Sequence, residues 1–295
     1  MLKGSTPTVR GMLWMAAAGA LFTLLNATMK KLALELDPWL VGFLRYLLGG
    51  MVMLAPALHL GVRELWPKAP KLQLARGLFH FAGMMVWFAA LPIVTLTELT
   101  AIGFSGPIFI CVGAVLFLSE RMTGARWVAI LVGFAGVLLV VNPFGGGGFS
   151  GISKGMLLML ASVPLFAASF LVAKALTRHE RSDIMVLWQH LLVSLGLLPF
   201  ALASWTMPST IQWALLVVCG FIGAGGHYCL TRSFRVADIS AVQSVKFLEL
   251  VWAAILGFFM FGTLPGGWTL AGGSVILVST LWLARRESRV SRAGT

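Results

Sequence analysis

The chain has 295 residues, of which 59% are hydrophobic and only 11% charged, and its mean hydropathy is +0.92. A water-facing domain carries about 25% charged residues because its surface must stay wet, so this composition excludes a soluble globule and makes lipid the solvent. The net charge of +12 is spread in small groups between apolar runs. That distribution suits anionic headgroups and excludes the single clustered footprint of nucleic-acid binding.

In chain order, apolar runs fall at 11–29, 38–60, 72–91, 99–118, 125–142, 153–176, 183–205, 211–231, 239–261 and 267–284. Each approaches the ~20 residues that a helix needs to cross hydrocarbon. None alternates as a barrel strand does, and a helix satisfies its own backbone polar groups in lipid. The sequence therefore predicts an all-α membrane protein of ten transmembrane helices. Lys3 and Arg10 precede the first run, but its length exceeds that of a signal-peptide core, so it reads as a retained helix. Cys111, Cys219 and Cys229 lie inside apolar runs and form neither a disulfide framework nor a metal spacing. No cofactor is expected.

Sorting the 22 basic residues by loop tests the span assignment. Seventeen fall on one side: Lys3, Arg10, Arg63, Lys68, Lys71, Arg76, Arg121, Arg126, Lys174, Arg178, Arg181, Arg232, Arg235, Arg285, Arg286, Arg289 and Arg292. Three fall on the other, Lys30, Lys31 and Lys154, while Arg45 and Lys246 sit inside spans. The asymmetry places both termini in the cytoplasm, in a multi-pass plasma-membrane protein (the inner membrane if the source is bacterial).

Residues 143–152, rich in glycine, divide a first unit over 1–142 from a second over 153–295. A shift of 143–144 residues lays Gly11 on Gly155, Phe22 on Phe166, Lys30 on Lys174, Arg45 on Gln189 and Pro107 on Leu250. Five crossings per unit is odd, so the second unit enters the membrane from the opposite face. Loop charge agrees. The loop with Arg63, Lys68 and Lys71 matches the uncharged 205–212 stretch, the Glu120-Arg121 to Arg126 loop matches chargeless 262–267, and the basic-free turn near Thr95 matches Arg232 to Arg235. Two inverted five-helix repeats are the architecture of secondary transporters, with the solute site near the midplane.

Ala90-Leu91 through Pro107 to Ser119-Glu120-Arg121, followed by Trp127, Gly133 and Gly136, resembles the second half of an EamA repeat of the drug/metabolite transporter superfamily. Two such repeats account for nearly the whole chain. The second copy departs from the pattern, with Leu250 in place of the proline and Thr263 in place of the glutamate, while Glu249 stands just before. Within the superfamily the chain looks most like the YddG-type amino-acid exporters. That resemblance implies an amino acid or related metabolite as the solute, moved outward.

Lys246 and Glu249 lie mid-span one turn apart, with Gln243 on the same face. A charge at the bilayer centre costs ~2.5–3.5 kcal/mol on insertion scales, so both are expected to face the interior. There they either meet the carboxylate and ammonium of a solute or pair with each other. His80, Met84 and Trp87 share a stripe at i, i+4 and i+7, and the resemblance places this region at the solute cavity, with Phe79 beside it. Asn26, Trp188, Gln189, His190, His227 and Arg45 are further intramembrane polar or aromatic points that, taken singly, read first as helix–helix contacts. The expected site comprises His80, Trp87, Gln243, Lys246, Glu249, Phe79, Asn26 and Trp188. Its partners are a small-molecule solute and membrane lipid, with no nucleic acid and no soluble protein.

The sequence leaves two rival functions. Gly103-Phe104-Ser105-Gly106 matches the nucleophile string of an intramembrane serine protease, although a nucleophile needs a base within hydrogen-bond reach. A channel would show rings of like charge or a repeated filter motif, and neither is evident. A phosphate-binding loop for ATP is also missing from the sequence.

Overall fold

The computed structural model describes residues 6–59, 61–90, 93, 102–141, 153–261 and 266–293. Among them the secondary structure is entirely helical. The helices are α1 (Pro7–Leu32), α2 (Pro38–Leu58), α3 (Pro70–Ala90), α4 (Gly106–Leu118), α5 (Gly124–Val141), α6 (Lys154–Leu176), α7 (Ser182–Ala203) and α8 (Thr210–Val236). Next comes α9, which starts as one turn (Ile239–Val242), tightens to 3-10 over Gln243–Phe247 and resumes over Leu248–Phe261; α10 (Gly267–Ala293) follows. The 143–152 linker, the turn near Thr95, and Thr263 lie outside the described residues.

Helix starts follow local chemistry. Asp37 accepts from Trp39 N at 2.8 Å, with Pro38 next. Ser153 accepts from Met156 N at 3.1 Å. Ser209 and Gln212 cap each other reciprocally at the head of α8. These bonds satisfy N–H groups that a helix start leaves bare.

Among the described residues, seven helices are long and apolar enough to cross a membrane, while α4 and α5 form shorter apolar helices. Three helices run further than the hydropathy pattern predicts. α8 continues through Arg232 and Arg235, α10 continues through Arg285 to Arg289, and α3 begins at Pro70, so Arg76 lies two turns inside it. Arginine is a good helix former and is favoured near a helix C-terminus, so hydropathy marks where hydrocarbon ends rather than where the helix does.

The two halves interleave. α1 packs on α8 as α6 packs on α3, α1 meets α9 as α6 meets α4, and α2 pairs with α7 as α5 pairs with α10. Exchanging each helix with the one five places on reproduces this pattern, so the packing is pseudo-two-fold. At the α5–α10 crossing a Cβ on Gly136 would lie 2.9 Å from the Gly272 carbonyl oxygen, so the two backbones touch directly. Small residues permit such contact between membrane helices.

Candidate functional site

A buried polar layer crosses the bundle where α2, α3, α7 and α8 meet. Tyr46 and His80 share a hydrogen bond at 2.8 Å between the hydroxyl and Nε2. The His227 ring lies 5.7 Å from His80 and 5.3 Å from His190, centroid to centroid, and all three rings are buried. His190 Nδ1 donates to the Val186 carbonyl at 2.9 Å, which leaves its Nε2 an acceptor. Arg76 is fully buried and donates to the Met185 carbonyl at 2.9 Å and to Gln189. Arg45 stacks over the Tyr46 ring at 4.3 Å. Neither guanidinium forms an ion pair among the described residues.

The halves contribute to this layer in matching ways. Phe22 of α1 packs edge-on against His227 at 5.0 Å, and Phe166 of α6 packs edge-on against His80 at 5.3 Å. A Cβ on Gly226 would meet the Phe22 ring, and one on Gly83 would meet the Phe166 ring. The shift that lays Phe22 on Phe166 thus relates two similar environments in space.

Beside this layer runs α9. Lys246 reaches toward α6, with its ammonium 5.0 Å from the centre of the Phe170 ring, a cation–π distance. Phe170 in turn touches His80, centroids 6.4 Å apart. Glu249 leans instead toward α1. A Cβ on Gly19 would stand 3.1 Å from its Cγ, and Thr23 donates to its backbone carbonyl at 3.4 Å. No ion pair joins Lys246 to Glu249 among the described residues; each side chain diverges toward a different neighbour. Mid-helix 3-10 turns often mark functional hinges.

At the basic end, residues of both halves interlock. Glu120 accepts from the backbone N–H of Ile239 at 2.9 Å and of Ser240 at 3.0 Å, and from the Ser240 hydroxyl at 2.7 Å. Arg126 pairs with Asp238 at 3.1 Å and with Glu287 at 2.9 Å. Lys174 donates to the carbonyls of Phe234 and Ala237 at 2.7 and 2.6 Å, closing the C-terminus of α8. Arg126, counted as a loop charge from sequence, is in fact 7% exposed and central to this latch.

The expected residues separate into groups. His80, Lys246 and Glu249 come together through Phe170 and α9. Gln243 is buried one turn below Lys246, its amide nitrogen donating to Ile239 O at 3.2 Å and its oxygen unpartnered among the described residues. Asn26 is exposed on the α1 face that carries Gly19 and Thr23, one turn beyond Glu249. Trp87 packs with the apolar cluster around Met84, Phe88 and Leu40, its ring edge-on to that of Phe88. Trp188 donates to the Leu65 carbonyl at 2.8 Å and so holds the loop before α3. Phe79 faces outward, 39% exposed.

Sequence reasoning passed over Tyr46, Arg76 and Phe170, and it weighed His190 and His227 as helix contacts. The available signal was the rule that intramembrane ionisable side chains mark function by default. Applied evenly, it selects both histidines. In the protease string, Ser105 donates its hydroxyl to the Ile102 carbonyl at 2.6 Å, whereas His80 and His190 bond Tyr46 and Val186.

A pseudo-symmetric helical bundle with polar groups buried between its halves is the fold of a membrane transporter. The profile of the EamA-like transporter family matches residues 9–142 and again residues 153–285, and the chain belongs to that family. It is an integral, multi-pass membrane protein and not an enzyme. It is 32% identical to the riboflavin transporter of Rhizobium johnstonii over 96% of this chain and 94% of that one. The S-adenosylmethionine uptake transporter of Rickettsia bellii is 29% identical over 88% of each chain. The pseudopaline exporter of Pseudomonas aeruginosa is 26% identical over 94% of this chain and 96% of its own. A solved crystal structure superposes with a TM-score of 0.81 at 19% identity, covering 95% of this chain and 97% of that one, a likeness of fold.

Proposed function

We propose that the protein is a secondary carrier for a small zwitterionic metabolite, an amino acid or a compound that carries an amino-acid head. Lys246 holds the carboxylate, Glu249 holds the ammonium, and Phe22, Phe166 and Phe170 supply apolar walls. One observation carries the reading: two opposite intramembrane charges one turn apart on α9 are directed to different neighbours and leave each other unpaired. Charges within a membrane span that lack a close ion-pair partner are costly, and a zwitterion satisfies both at once.

In this reading the units 1–142 and 153–295 are inverted repeats of five crossings each, with both termini cytoplasmic. They rock about the central layer by alternating access. The latch of Glu120, Arg126, Asp238 and Glu287 closes the cytoplasmic end in the state described, and the pseudo-symmetric packing supports an opposite state with that end open. Outward movement, as the resemblance implies, and uptake use the same two states, so direction follows the gradients.

A planar aromatic solute is the second reading, favoured by the rings around His80 and His227 and by the relative named for riboflavin. Uptake into proteoliposomes of labelled methionine, S-adenosylmethionine and riboflavin separates the two. Zwitterion transport that falls at least tenfold in both Lys246→Gln and Glu249→Gln supports the first. Riboflavin transport indifferent to both substitutions, with no zwitterion uptake, supports the second.

A further inference from the structure

Two cavities lie side by side along α6, at the end of the bundle where α6 and α8 terminate. One, of about 310 Å³, is apolar and lined by Phe79, Phe117, Ala168 and Val172 together with Leu118 and Ala175. It opens outward, since Phe117 is 78% exposed and faces the lipid. The other, of about 270 Å³, is polar and carries Lys174, Arg178 and Arg235 along with Glu120 and Asp238. Leu118 and Ala175 line both, so the two are adjacent and share a wall.

Charge in the polar cavity is unbalanced. The Glu120 carboxylate is occupied by the start of α9, and Asp238 is paired with Arg126. Lys174 and Arg235 donate to backbone carbonyls, of Phe234, Ala237 and Glu180; Glu120 and Asp238 act through space on Lys174, so the excess positive charge of the cavity lies with Arg178 and Arg235. Arg178 is exposed, and while its backbone N–H donates to the Ala175 carbonyl at 3.2 Å, its guanidinium makes no hydrogen bond among the described residues. None of the three cations pairs with a carboxylate among those residues.

A basic pocket at the mouth of a lipid-facing apolar groove suits one kind of molecule. We propose that this composite cavity binds an anionic phospholipid, its phosphate held by Arg178 and Arg235 and one acyl chain lying along α6. From Ala168 to Ala175 the helix rises ~10 Å, enough for the upper part of a chain. A soluble phosphate compound would leave the groove uncovered, and a phosphatidylcholine would bring no net charge to the cations. Basic pockets between membrane helices are known headgroup sites. Because the pocket shares Glu120 and Asp238 with the latch, the bound lipid favours the latched state. The proposal does not depend on which solute is carried.

The test uses the full-length protein purified in mild detergent. Retention of dioleoylphosphatidylglycerol and dioleoylphosphatidylcholine is compared by native mass spectrometry. The anionic lipid is retained in preference, and Arg178→Gln weakens it about fivefold, the share of one basic residue near the surface, while phosphatidylcholine is unaffected. Arg285→Gln, a basic residue at the same end but outside the pocket, leaves both unchanged. Phe79→Ala, which shortens the groove wall, lowers retention of both lipids. Equal retention of the two lipids, an anionic preference that survives Arg178→Gln, or an equal loss in Arg285→Gln overturns the proposal.

Discussion

The carboxylate of Glu120, at the end of α4, accepts the backbone N–H of Ser240 at 3.0 Å and thereby caps α9 from the opposite half of the chain. Asp238, the residue at the cap position itself, makes no side-chain cap bond. The Ser-Glu-Arg element of the family resemblance thus has a physical role: it ties the first half to the helix that bears Lys246 and Glu249. Ser119 enables the geometry by adopting a left-handed backbone at φ 55°.

Loss of this cap is predicted to open the basic end. Removing a helix cap costs ~1–2 kcal/mol, which shifts a two-state ratio roughly five- to thirtyfold. With the three native cysteines replaced by alanine and Ser244→Cys introduced at a buried site, Glu120→Ala raises the labelling rate by a membrane-impermeant maleimide at least about fivefold. An unchanged rate would remove the latch from the account.

Tyr46→Phe deletes the hydroxyl that His80 uses and leaves a buried ring nitrogen unpartnered. A lost hydrogen bond of this kind costs about 1–3 kcal/mol, so the thermal midpoint of the purified protein falls by a few degrees. The expected effect is on stability first. A midpoint that stays within a degree would mean that the bond contributes nothing.

Gly272→Leu drives a side chain into the backbone of Gly136 and the Val140 side chain. Overpacking that cannot relax costs at least ~1–3 kcal/mol, and here the obstacle is main chain. The variant is expected to elute as aggregate in size-exclusion chromatography. Gly267→Leu, where a Cβ meets nothing within 4 Å, remains monodisperse. Normal elution of both would contradict the close α5–α10 crossing.

His80→Ala and Phe79→Ala, neighbours in sequence, separate wall from lipid face. His80 touches Tyr46, Phe166, Phe170 and His227, whereas Phe79 points outward. In liposomes without anionic lipid, initial-rate transport is predicted to fall at least tenfold in the first, with KM unaltered in the second. A matching KM change in both would assign Phe79 to the cavity after all.

The membrane class and the seven long apolar helices were legible because burial in lipid imposes one pattern, a long apolar run, whatever the solute. Helix ends were less so. Arg232 and Arg235 look like loop charges to a hydropathy window, yet they continue their helix, and Arg76, inside the predicted run but sorted with the loop before it, is fully buried. The divergence of Lys246 and Glu249 was not visible either, since their i, i+3 spacing allows pairing and only Phe170 and Gly19, distant in sequence, decide otherwise. His190 and His227 read as packing residues one at a time; their contact with His80 and Tyr46 exists only once α2, α3, α7 and α8 meet.

The most direct test of the carrier is counterflow. Proteoliposomes loaded with an unlabelled solute that the carrier accepts are diluted into the same solute, radiolabelled, outside. A site exposed to one side at a time returns loaded faster than empty, so the label accumulates transiently above its outside level and its entry saturates. Entry that rises linearly with concentration and is indifferent to preloading would describe a pore and contradict the account.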